Sequence, residues 1–298
     1  MFGALVTGLG QGAVLALLAV GLVLVYKGSR VLNLAQGEIG GAALLTAYAL
    51  TGHGTGNPVV MLLLAVVLAA ALGLVIEVSV MRRLVGRPPI QGTIAALGLA
   101  IILVNATALL DKFFLPAGQS SYPVSMPQTV GTWSVRIGGA TLVSGRVVAV
   151  IATAIVAGAL FIFFTRTRFG LAVVAATSDD TVARILGIPV RRVYLFTWGV
   201  GGALSGLAAA LVAPVLGTFS PATMTFVLIS ALAAAVVGGL DSIWGAIVGG
   251  LLIGVVQSLA RHFFSNVGAV DTIAVLVLVI ATLTLRPRGL LGGAVADA

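Results

Sequence analysis

Nine apolar segments follow one another along this chain, and they constrain its fold more than any other feature. Each is roughly 16–22 residues long, close to the length with which a helix crosses the hydrocarbon core of a bilayer. They cover residues 4–26, 36–52, 58–80, 91–110, 145–165, 193–216, 225–240, 243–260 and 269–285. Only 8% of the residues are charged, whereas soluble domains carry about 25%. The sequence therefore predicts an all-α, polytopic transmembrane helix bundle of about eight to nine membrane segments, forming a single domain over residues 1–298.

Two of the apolar segments, 36–52 and 225–240, are short and rich in Gly and Ala. Each is predicted either to cross the membrane or to be a re-entrant or broken helix. Glycines also recur at a four-residue spacing that lets helix backbones approach closely in lipid. These pairs are Gly8 and Gly12, Gly202 and Gly206, Gly245 and Gly249, and Gly250 and Gly254. We interpret them as helix-packing contacts, although sliding of helices in a conformational cycle is compatible with the same pattern.

The basic residues predict the orientation of the chain, because cytoplasmic loops carry an excess of Lys and Arg. With the N-terminus outside, 12 of the 16 Lys and Arg residues fall in the cytoplasm. These twelve are Lys27, Arg30, Arg82, Arg83, Arg87, Arg166, Arg168, Arg184, Arg191, Arg192, Arg286 and Arg288. The four outside are Lys112, Arg136, Arg146 and Arg261. We therefore expect a cytoplasmic C-terminus, an external loop over 111–144 and a cytoplasmic loop over 166–192. The net charge of +8 is explained by these loops, so no nucleic-acid partner is expected.

Motifs for catalysis and for ATP binding are missing from the sequence. The chain has no cysteine, which excludes disulfides, thiol nucleophiles and cysteine metal sites. Neither Lys27 nor Lys112 follows a glycine, so the phosphate-binding loop GxxxxGK[S/T] is excluded. His53 and His262 are predicted in outside turns. The sequence thus predicts a non-catalytic chain with no metal site and no cofactor of its own.

Six polar residues within or beside the apolar segments are candidates for a translocation path. They are Gln11, Asn33, Gln36, Glu38, Asn105 and Gln257. Asn33, Gln36 and Glu38 cluster where the chain re-enters the membrane, and they either mark a gate on the cytoplasmic side or belong to the start of a helix. In the second case Asn33 caps the helix and Glu38 complements its dipole. Acidic residues are predicted near span ends with no charge in the middle of a span, which argues against a proton- or sodium-driven carrier.

The external loop contains a hairpin pattern. Trp133, Val135 and Ile137 alternate before the Gly138-Gly139 pair, which favours a two-residue β-turn. Such a hairpin would either receive an external partner or cap the helix bundle.

Between residues 169 and 191 lies the only stretch that is typical of a water-soluble helix. Its signals are a hydroxyl cap, acids in the first turn, a base near the last turn and a C-terminal glycine. The residues that carry them are Thr177 or Ser178, Asp179, Asp180, Arg184 and Gly187. Val182, Ile185 and Leu186 fall on one face. At about ten residues the helix is too short to be stable alone, so it is expected to dock on another surface.

Three stretches together resemble one known family. They are residues 26–50, with the core Asn-x-Ala-Gln-Gly-Glu, residues 175–188 and residues 238–254. Over nearly its whole length the chain is similar to the permease subunits of bacterial ABC importers for branched-chain amino acids. Where the family often has Gly-Ser after Gly-Gly-Leu, this chain has Asp241-Ser242. Either residue is expected to cap the next helix.

The resemblance implies a heteromeric importer in the bacterial inner membrane. Its partners would be a second permease, two cytoplasmic ATPases that bind ATP and magnesium, and an extracytoplasmic substrate-binding protein. It also implies that residues 178–187 form a coupling helix in a groove of the ATPase. The contact residues would be Ser178, Asp179, Asp180, Val182, Arg184, Ile185, Leu186 and Gly187. The alternative for this segment is an interfacial helix lying on lipid. For the whole chain, the alternatives are a permease of the same family for urea, short amides or another small solute, and a secondary carrier or channel.

Overall fold

The computed structural model describes residues 1–52, 56–114, 122–127, 134–137, 140–178, 183, 185, 187–264 and 266–292. The helices are α1 (Phe2–Ser29), α2 (Gln36–Leu50), α3 (Pro58–Ser79), α4 (Pro89–Phe114), α5 (Ser144–Arg166), α6 (Arg168–Ser178), α7 (Val190–Leu216), α8 (Thr223–Gly238), α9 (Ile243–Phe263) and α10 (Val270–Leu285), with a 3₁₀ turn at Met81–Leu84. The strands are β1 (Val124–Ser125), β2 (Ser134–Ile137), β3 (Ala140–Val143) and β4 (Thr218–Phe219). The predicted helical class is confirmed.

Each of the nine predicted apolar segments coincides with a helix. Within the described residues, six helices are long and apolar enough to cross a membrane: α1, α3 with the turn that follows it, α4, α5, α7 and α9. The other three are shorter, with 15 residues in α2 and 16 each in α8 and α10. The described helix that the apolar pattern did not predict as a segment is α6, which lies between α5 and the predicted coupling segment.

The centre of the bundle is formed by α1 and α7. Both are apolar on all sides, as expected for helices that are surrounded by other helices. In α1 the run from Gly12 to Val25 is buried without interruption. By contrast, α4 and α5 are peripheral and expose large apolar side chains such as Ile101 and Ile155. Apolar side chains on the outer surface are expected for a bundle in lipid, because lipid tails are as apolar as the protein interior.

The predicted small-residue contacts are confirmed where α1 crosses α9. A Cβ atom built on Gly12 would lie 2.8 Å from the Gly250 carbonyl oxygen, and one on Gly254 would overlap the backbone of Gly12. Similar contacts bring Gly202 and Gly206 of α7 against α3. A side chain at these positions would push the helices apart, so close packing explains part of the high glycine content.

The chain enters α2 from inside the bundle. After α1 ends at Ser29, residues 30–35 are not helical and turn back along α1. The first residue of α2, Gln36, lies against Gly21, which is about 12 Å before the end of α1 at 1.5 Å per residue. The segment predicted as spanning, re-entrant or broken is therefore a helix preceded by a partly buried, non-helical stretch.

The same arrangement precedes α8. Residues 217–222 follow α7, and α8 begins at Thr223 in contact with α2. The N-cap of α2 is Ala35, with φ −85° and ψ 0°, and that of α8 is Ala222, with φ −86° and ψ −1°. Neither cap residue makes a side-chain cap bond.

The helices α1–α4 form one half of the bundle and α7–α10 form the other, and the first helices of the two halves run in opposite directions. Gly28 of α1 lies against Thr197 of α7, and Gly21 lies against Leu204, so these helices are antiparallel. In the same way α1 packs along α9 while α3 packs along α7. Glu38 and Thr225, which are 187 residues apart, occupy equivalent positions and are hydrogen-bonded to each other. The fold is thus a pair of inverted halves with α5 and α6 between them.

Basic residues gather at one end of the bundle, here called the basic end. It contains the end of α1, the start of α4, the end of α5, the start of α7 and the turn between α8 and α9. The basic side chains on these described elements are Lys27, Arg30, Arg82, Arg83, Arg87, Arg166, Arg168, Arg191, Arg192, Arg286 and Arg288. At the opposite end, the Met1 amino group lies 3.4 Å from His262 Nε2.

The opposite end also carries the two strand pairs. β2 and β3 are antiparallel with Ile137 opposite Ala140, as the predicted hairpin requires, while Gly138 and Gly139 lie outside the described residues. β3 lies against α1 and the start of α5. β1 pairs with β4, so the loop after α4 is joined to the loop after α7.

Candidate functional site

A wide cavity of about 460 Å³ opens at the end opposite the basic residues. α1, α7, α8, α9 and α10 contribute its wall. Seven of the sixteen lining residues are aliphatic, including Leu15, Val212, Val227 and Val275, and eight are polar or charged. The volume falls within the range of about 300–1,000 Å³ that is typical of small-molecule pockets. Two of the predicted path residues, Gln11 and Gln257, line this cavity.

The polar side of the wide cavity is a connected group of side chains. Gln11 Nε2 donates to Gln257 Oε1 at 3.2 Å, and Gln257 Nε2 donates to the Ser230 hydroxyl at 3.1 Å. The Arg261 guanidinium donates to Gln11 Oε1 at 2.6 Å, and its Nε lies 3.8 Å from Asp271 Oδ2. Arg261, Asp271 and Ser230 are not among the predicted path residues. The available signal for the first two was their position on either side of the turn between α9 and α10.

A second group of predicted path residues is buried between α2 and α7. Asn33 and Gln36 are both 0% exposed. Asn33 Nδ2 donates to Gln36 Oε1 at 2.7 Å, and Gln36 Nε2 donates to the Gly201 carbonyl at 2.6 Å. The Ser205 hydroxyl donates to the Gln36 carbonyl. These bonds satisfy the buried polar groups of Asn33 and Gln36 beside a non-helical backbone stretch, as such backbone inside a bundle requires.

The contacts of Asn33 differ from those expected of a residue that caps α2. Its Oδ1 accepts from the Ala35 N–H at 3.1 Å, and the N-cap residue of α2 is Ala35 rather than Asn33. Glu38 does lie in the first turn of α2, but it is only 3% exposed and accepts a hydrogen bond from Thr225 at 2.5 Å. Glu38 thus lies near the start of its predicted segment, as expected of the acidic residues, and it is buried because α2 begins against α7 and α8.

Asn105 does not join the other candidates. Its side chain is exposed on α4 and donates to the Ile101 carbonyl of its own helix at 2.8 Å. Such a bond satisfies the amide locally. The structure thus divides the six candidates into a cavity pair, a buried group of three and one peripheral residue.

A narrow cavity of about 120 Å³ lies at the basic end. Glu77 and Arg82 border it with a close ion pair, in which the nearest atoms are 2.7 Å apart and Glu77 is 2% exposed. Trp198 also lines the cavity, and its buried indole N–H has no hydrogen-bond partner among the described residues. The narrow cavity is formed between α1, α3, α4 and α7, which are the inverted counterparts of the helices α7, α9, α10 and α1 around the wide cavity.

The predicted coupling segment is described in part. Ser178 is the last residue of α6, whereas Asp179, Asp180, Val182, Arg184 and Leu186 lie outside the described residues. Ala183 and Ile185 are helical, and Gly187 has φ +77°. The Ile188 N–H donates to the Ala183 carbonyl at 2.9 Å, which is the bond of a helix end with glycine at C′.

One face of this segment is anchored and another is exposed. Ala183 is 2% exposed and packs in a cluster with Val173, Val190 and Val193. Ile185 is 80% exposed. The predicted apolar contact residue therefore points away from the protein.

An aromatic group connects the coupling segment to the long helices. Phe163 of α5 stacks on Phe196 of α7 with 4.8 Å between ring centroids, and Phe169 of α6 meets Phe196 edge-on at 5.5 Å. Phe169 and Phe196 also border the cluster that holds Ala183. Movement of this segment would thus act on α5 and α7 through packed side chains.

The turn before α9 supplies one predicted cap and one ion pair. The Ser242 hydroxyl accepts from the Gly245 N–H at 2.9 Å, so Ser242 rather than Asp241 caps α9. Asp241 lies 3.4 Å from Arg30, and its carbonyl accepts from the Lys27 ammonium at 3.0 Å. These contacts join the end of α1 to the start of α9.

The helices, the cavities and the inverted halves define a multi-pass membrane permease, and comparison with known proteins gives the family. Residues 4–283 match the family described as branched-chain amino acid transport system, permease component, and the chain belongs to this family. It is 29% identical over 296 residues to the high-affinity branched-chain amino acid transport system permease protein BraD of Pseudomonas aeruginosa, covering 97% of this chain and 94% of BraD.

Two further comparisons agree. The chain is 30% identical over 297 residues to the permease protein LivH of Escherichia coli K12, covering 96% of this chain and 93% of LivH. A solved structure of PsaBC from Streptococcus pneumoniae in complex with Fab is similar with a TM-score of 0.50 and 17% identity, covering 96% of this chain and 92% of that one. At this identity the structural likeness concerns the fold alone. The predicted family is therefore confirmed.

Proposed function

We propose that this chain is the transmembrane permease subunit of an ATP-driven importer for branched-chain or related hydrophobic amino acids. The observation that carries the proposal is the family match over residues 4–283, combined with a wide cavity that has an aliphatic part. The chain is not an enzyme in this proposal. ATP and magnesium are bound by separate ATPase subunits.

The proposed topology has nine membrane traverses with the N-terminus outside and the C-terminus in the cytoplasm of a bacterial cell. Support comes from the helix ends, which alternate between the two ends of the bundle, and from the basic residues that gather at one of them. By the positive-inside rule the basic end is cytoplasmic. The short helices α2 and α8 complete their traverses with the non-helical stretches before them.

The proposed mechanism is alternating access. The wide cavity faces outward and measures about 460 Å³. Three separate cavities at the basic end measure about 120, 200 and 240 Å³, and the close Glu77–Arg82 pair borders the first of them. Substrate delivered by an extracytoplasmic binding protein would enter near β1 and β4, and opening of the basic end would release it.

The partners proposed for this cycle are a second permease, two cytoplasmic ATPases and the binding protein. The segment 178–187 is the proposed ATPase contact, and two observations support it. Ile185 is exposed beside the anchored Ala183, and the phenylalanine group joins this region to α5 and α7. Closure of the ATPases would therefore tilt these two helices.

The experiment that tests the proposal is uptake into proteoliposomes that contain the complete assembly, with ATP inside and loaded binding protein outside. We expect accumulation of leucine, isoleucine or valine that depends on ATP and on both partner proteins. Flux through the permease without ATPases would instead identify a channel or carrier. Accumulation of urea or a short amide, but of no amino acid, would refute the substrate assignment.

A further inference from the structure

The wide cavity places a cation and an anion side by side at one end of an apolar wall. Arg261 ends α9, Asp271 begins α10, and their nearest charged atoms are 3.8 Å apart. Val212, Val227 and Val275 line the cavity with other aliphatic residues. The charged pair and the aliphatic residues thus line the same cavity.

Both charged groups keep bonding capacity for a ligand. Arg261 makes described hydrogen bonds through Nε to the Gln257 carbonyl at 3.4 Å and through one terminal nitrogen to Gln11. A guanidinium has five N–H donors, so most of its capacity remains. Asp271 Oδ1 accepts from the Thr272 N–H at 3.0 Å, while Oδ2 faces Arg261 beyond hydrogen-bond distance. The pair is half-exposed and loosely joined, unlike the close pair at the narrow cavity.

We propose that Arg261 and Asp271 form a transient binding site for the zwitterionic end of an α-amino acid. The ligand carboxylate meets Arg261 and the ligand ammonium meets Asp271, while the hydrocarbon side chain lies against the aliphatic wall. An α-amino acid carries both charges on one carbon, so its spacing suits adjacent opposite charges. Each charge exchanges one partner for another, and the net charge of the cavity stays zero. This inference rests on the proposed function and names the chemistry that its substrate must have.

Other small solutes fit this arrangement less well. Urea and short amides carry no charge pair and would leave the aliphatic wall in contact with water. A sugar would meet the hydroxyl and amide groups of Ser230, Thr272 and Gln257 but would leave the charged pair without a charged partner. A zwitterion with an apolar side chain uses both sides of the cavity. The site need not bind tightly, because a permease must also release what it accepts.

A purely structural role for the ion pair is the competing explanation. A basic residue at the end of α9 and an acidic residue at the start of α10 both complement helix dipoles and connect the two helices. If this were their only role, the doubly neutral variant R261Q/D271N would behave like the wild type, because neither charge would be left without its partner.

The absence of cysteine from the chain allows a direct test on the purified permease–ATPase complex without the binding protein. Ser230 lines the cavity, so S230C gives a single thiol inside it. Thr218 is exposed at the same end but does not line the cavity, so T218C is the matched control. The probe is methyl methanethiosulfonate, which is neutral and insensitive to the charges at the site.

We expect millimolar leucine to slow modification of S230C but not of T218C. Isoamylamine lacks the carboxylate and 4-methylpentanoate lacks the ammonium, so neither should protect at the same concentration. R261Q and D271N should each raise the leucine concentration for half-protection by roughly tenfold or more, the loss expected for one charge-assisted hydrogen bond. R261Q/D271N should not recover protection, whereas R261K should retain part of it.

Equal protection by all three compounds, no protection by leucine, or recovery in R261Q/D271N would each overturn the site. The uptake experiment separates this failure from failure of the proposed function. ATP-dependent leucine uptake without protection of S230C would refute only the cavity site. Protection by urea, with no uptake of any amino acid, would refute the substrate assignment on which both rest.

Discussion

Ile185 provides the sharpest test of the coupling segment. Its side chain is 80% exposed, so Ile185→Ser should change the stability of the isolated permease by less than about 0.5 kcal/mol. Complete burial of an isoleucine contributes about 1.5–3 kcal/mol. If docking on the ATPase buries the exposed four-fifths, the substitution removes about 1.2–2.4 kcal/mol from association. We therefore expect the dissociation constant of the permease–ATPase complex to rise roughly tenfold to fiftyfold.

The assay is a binding titration of detergent-purified permease with the ATPase, followed by ATP-dependent uptake in proteoliposomes. Leu285, at the end of α10, supplies the matched control because it is 81% exposed at the same end of the bundle. Leu285→Ser should leave the dissociation constant unchanged. The reasoning would be refuted if Ile185→Ser bound the ATPase and supported uptake like the wild type, or if both variants weakened binding equally.

Two further substitutions test the packing of the bundle by thermal unfolding in detergent. Gly254→Val should destabilise the permease by at least about 1–3 kcal/mol because the side chain would overpack against α1. The control is Gly98→Ala, which should be neutral or slightly stabilising because its Cβ would meet nothing within 4 Å. Equal effects of the two substitutions would contradict the close approach of α1 and α9. Arg82→Gln should cost about 3–5 kcal/mol because it leaves the buried Glu77 carboxylate without its cation. The control is Arg30→Gln, which should cost less than about 1 kcal/mol because the side chains of the Arg30–Asp241 pair are 52% and 61% exposed. An equally small loss of stability for Arg82→Gln would show that the Glu77 carboxylate is not buried as a charge.

Most of the secondary structure could be predicted because lipid imposes simple rules on sequence. A helix satisfies its own backbone, so each long apolar segment became a helix within a few residues of its predicted bounds. Hairpin residues 134–137 and 140–143 were predictable from local alternation and the Gly138-Gly139 turn. Helix α6 was missed as a separate element because its eleven residues are too few for an apolar membrane segment.

The candidate path was predicted less well because the polarity of a residue does not show which way its side chain points. Six polar residues were predicted to line a path, but the sequence did not show that Gln11 and Gln257 bond to each other in one cavity or that Asn105 bonds to its own helix. Arg261 and Asp271 were treated as flanking charges, since sequence position puts both near span ends. Their role beside the wide cavity depends on how α9 and α10 pack, which is a tertiary property.

The inverted halves explain why the buried polar group could not be interpreted from local signals. Asn33 and Gln36 precede or begin α2, and Ser220 and Thr223 take the equivalent places at α8, where their hydroxyls lie 3.0 Å apart. The two pairs differ chemically, yet each joins a non-helical stretch to the first residue of a helix. Glycine and methionine occupy the next equivalent positions, so there is little identity for a sequence comparison to detect. What the halves share is a physical requirement. Each half has a non-helical stretch inside the bundle. The backbone N–H and C=O groups of that stretch lack helical hydrogen bonds, so short polar side chains nearby must satisfy them.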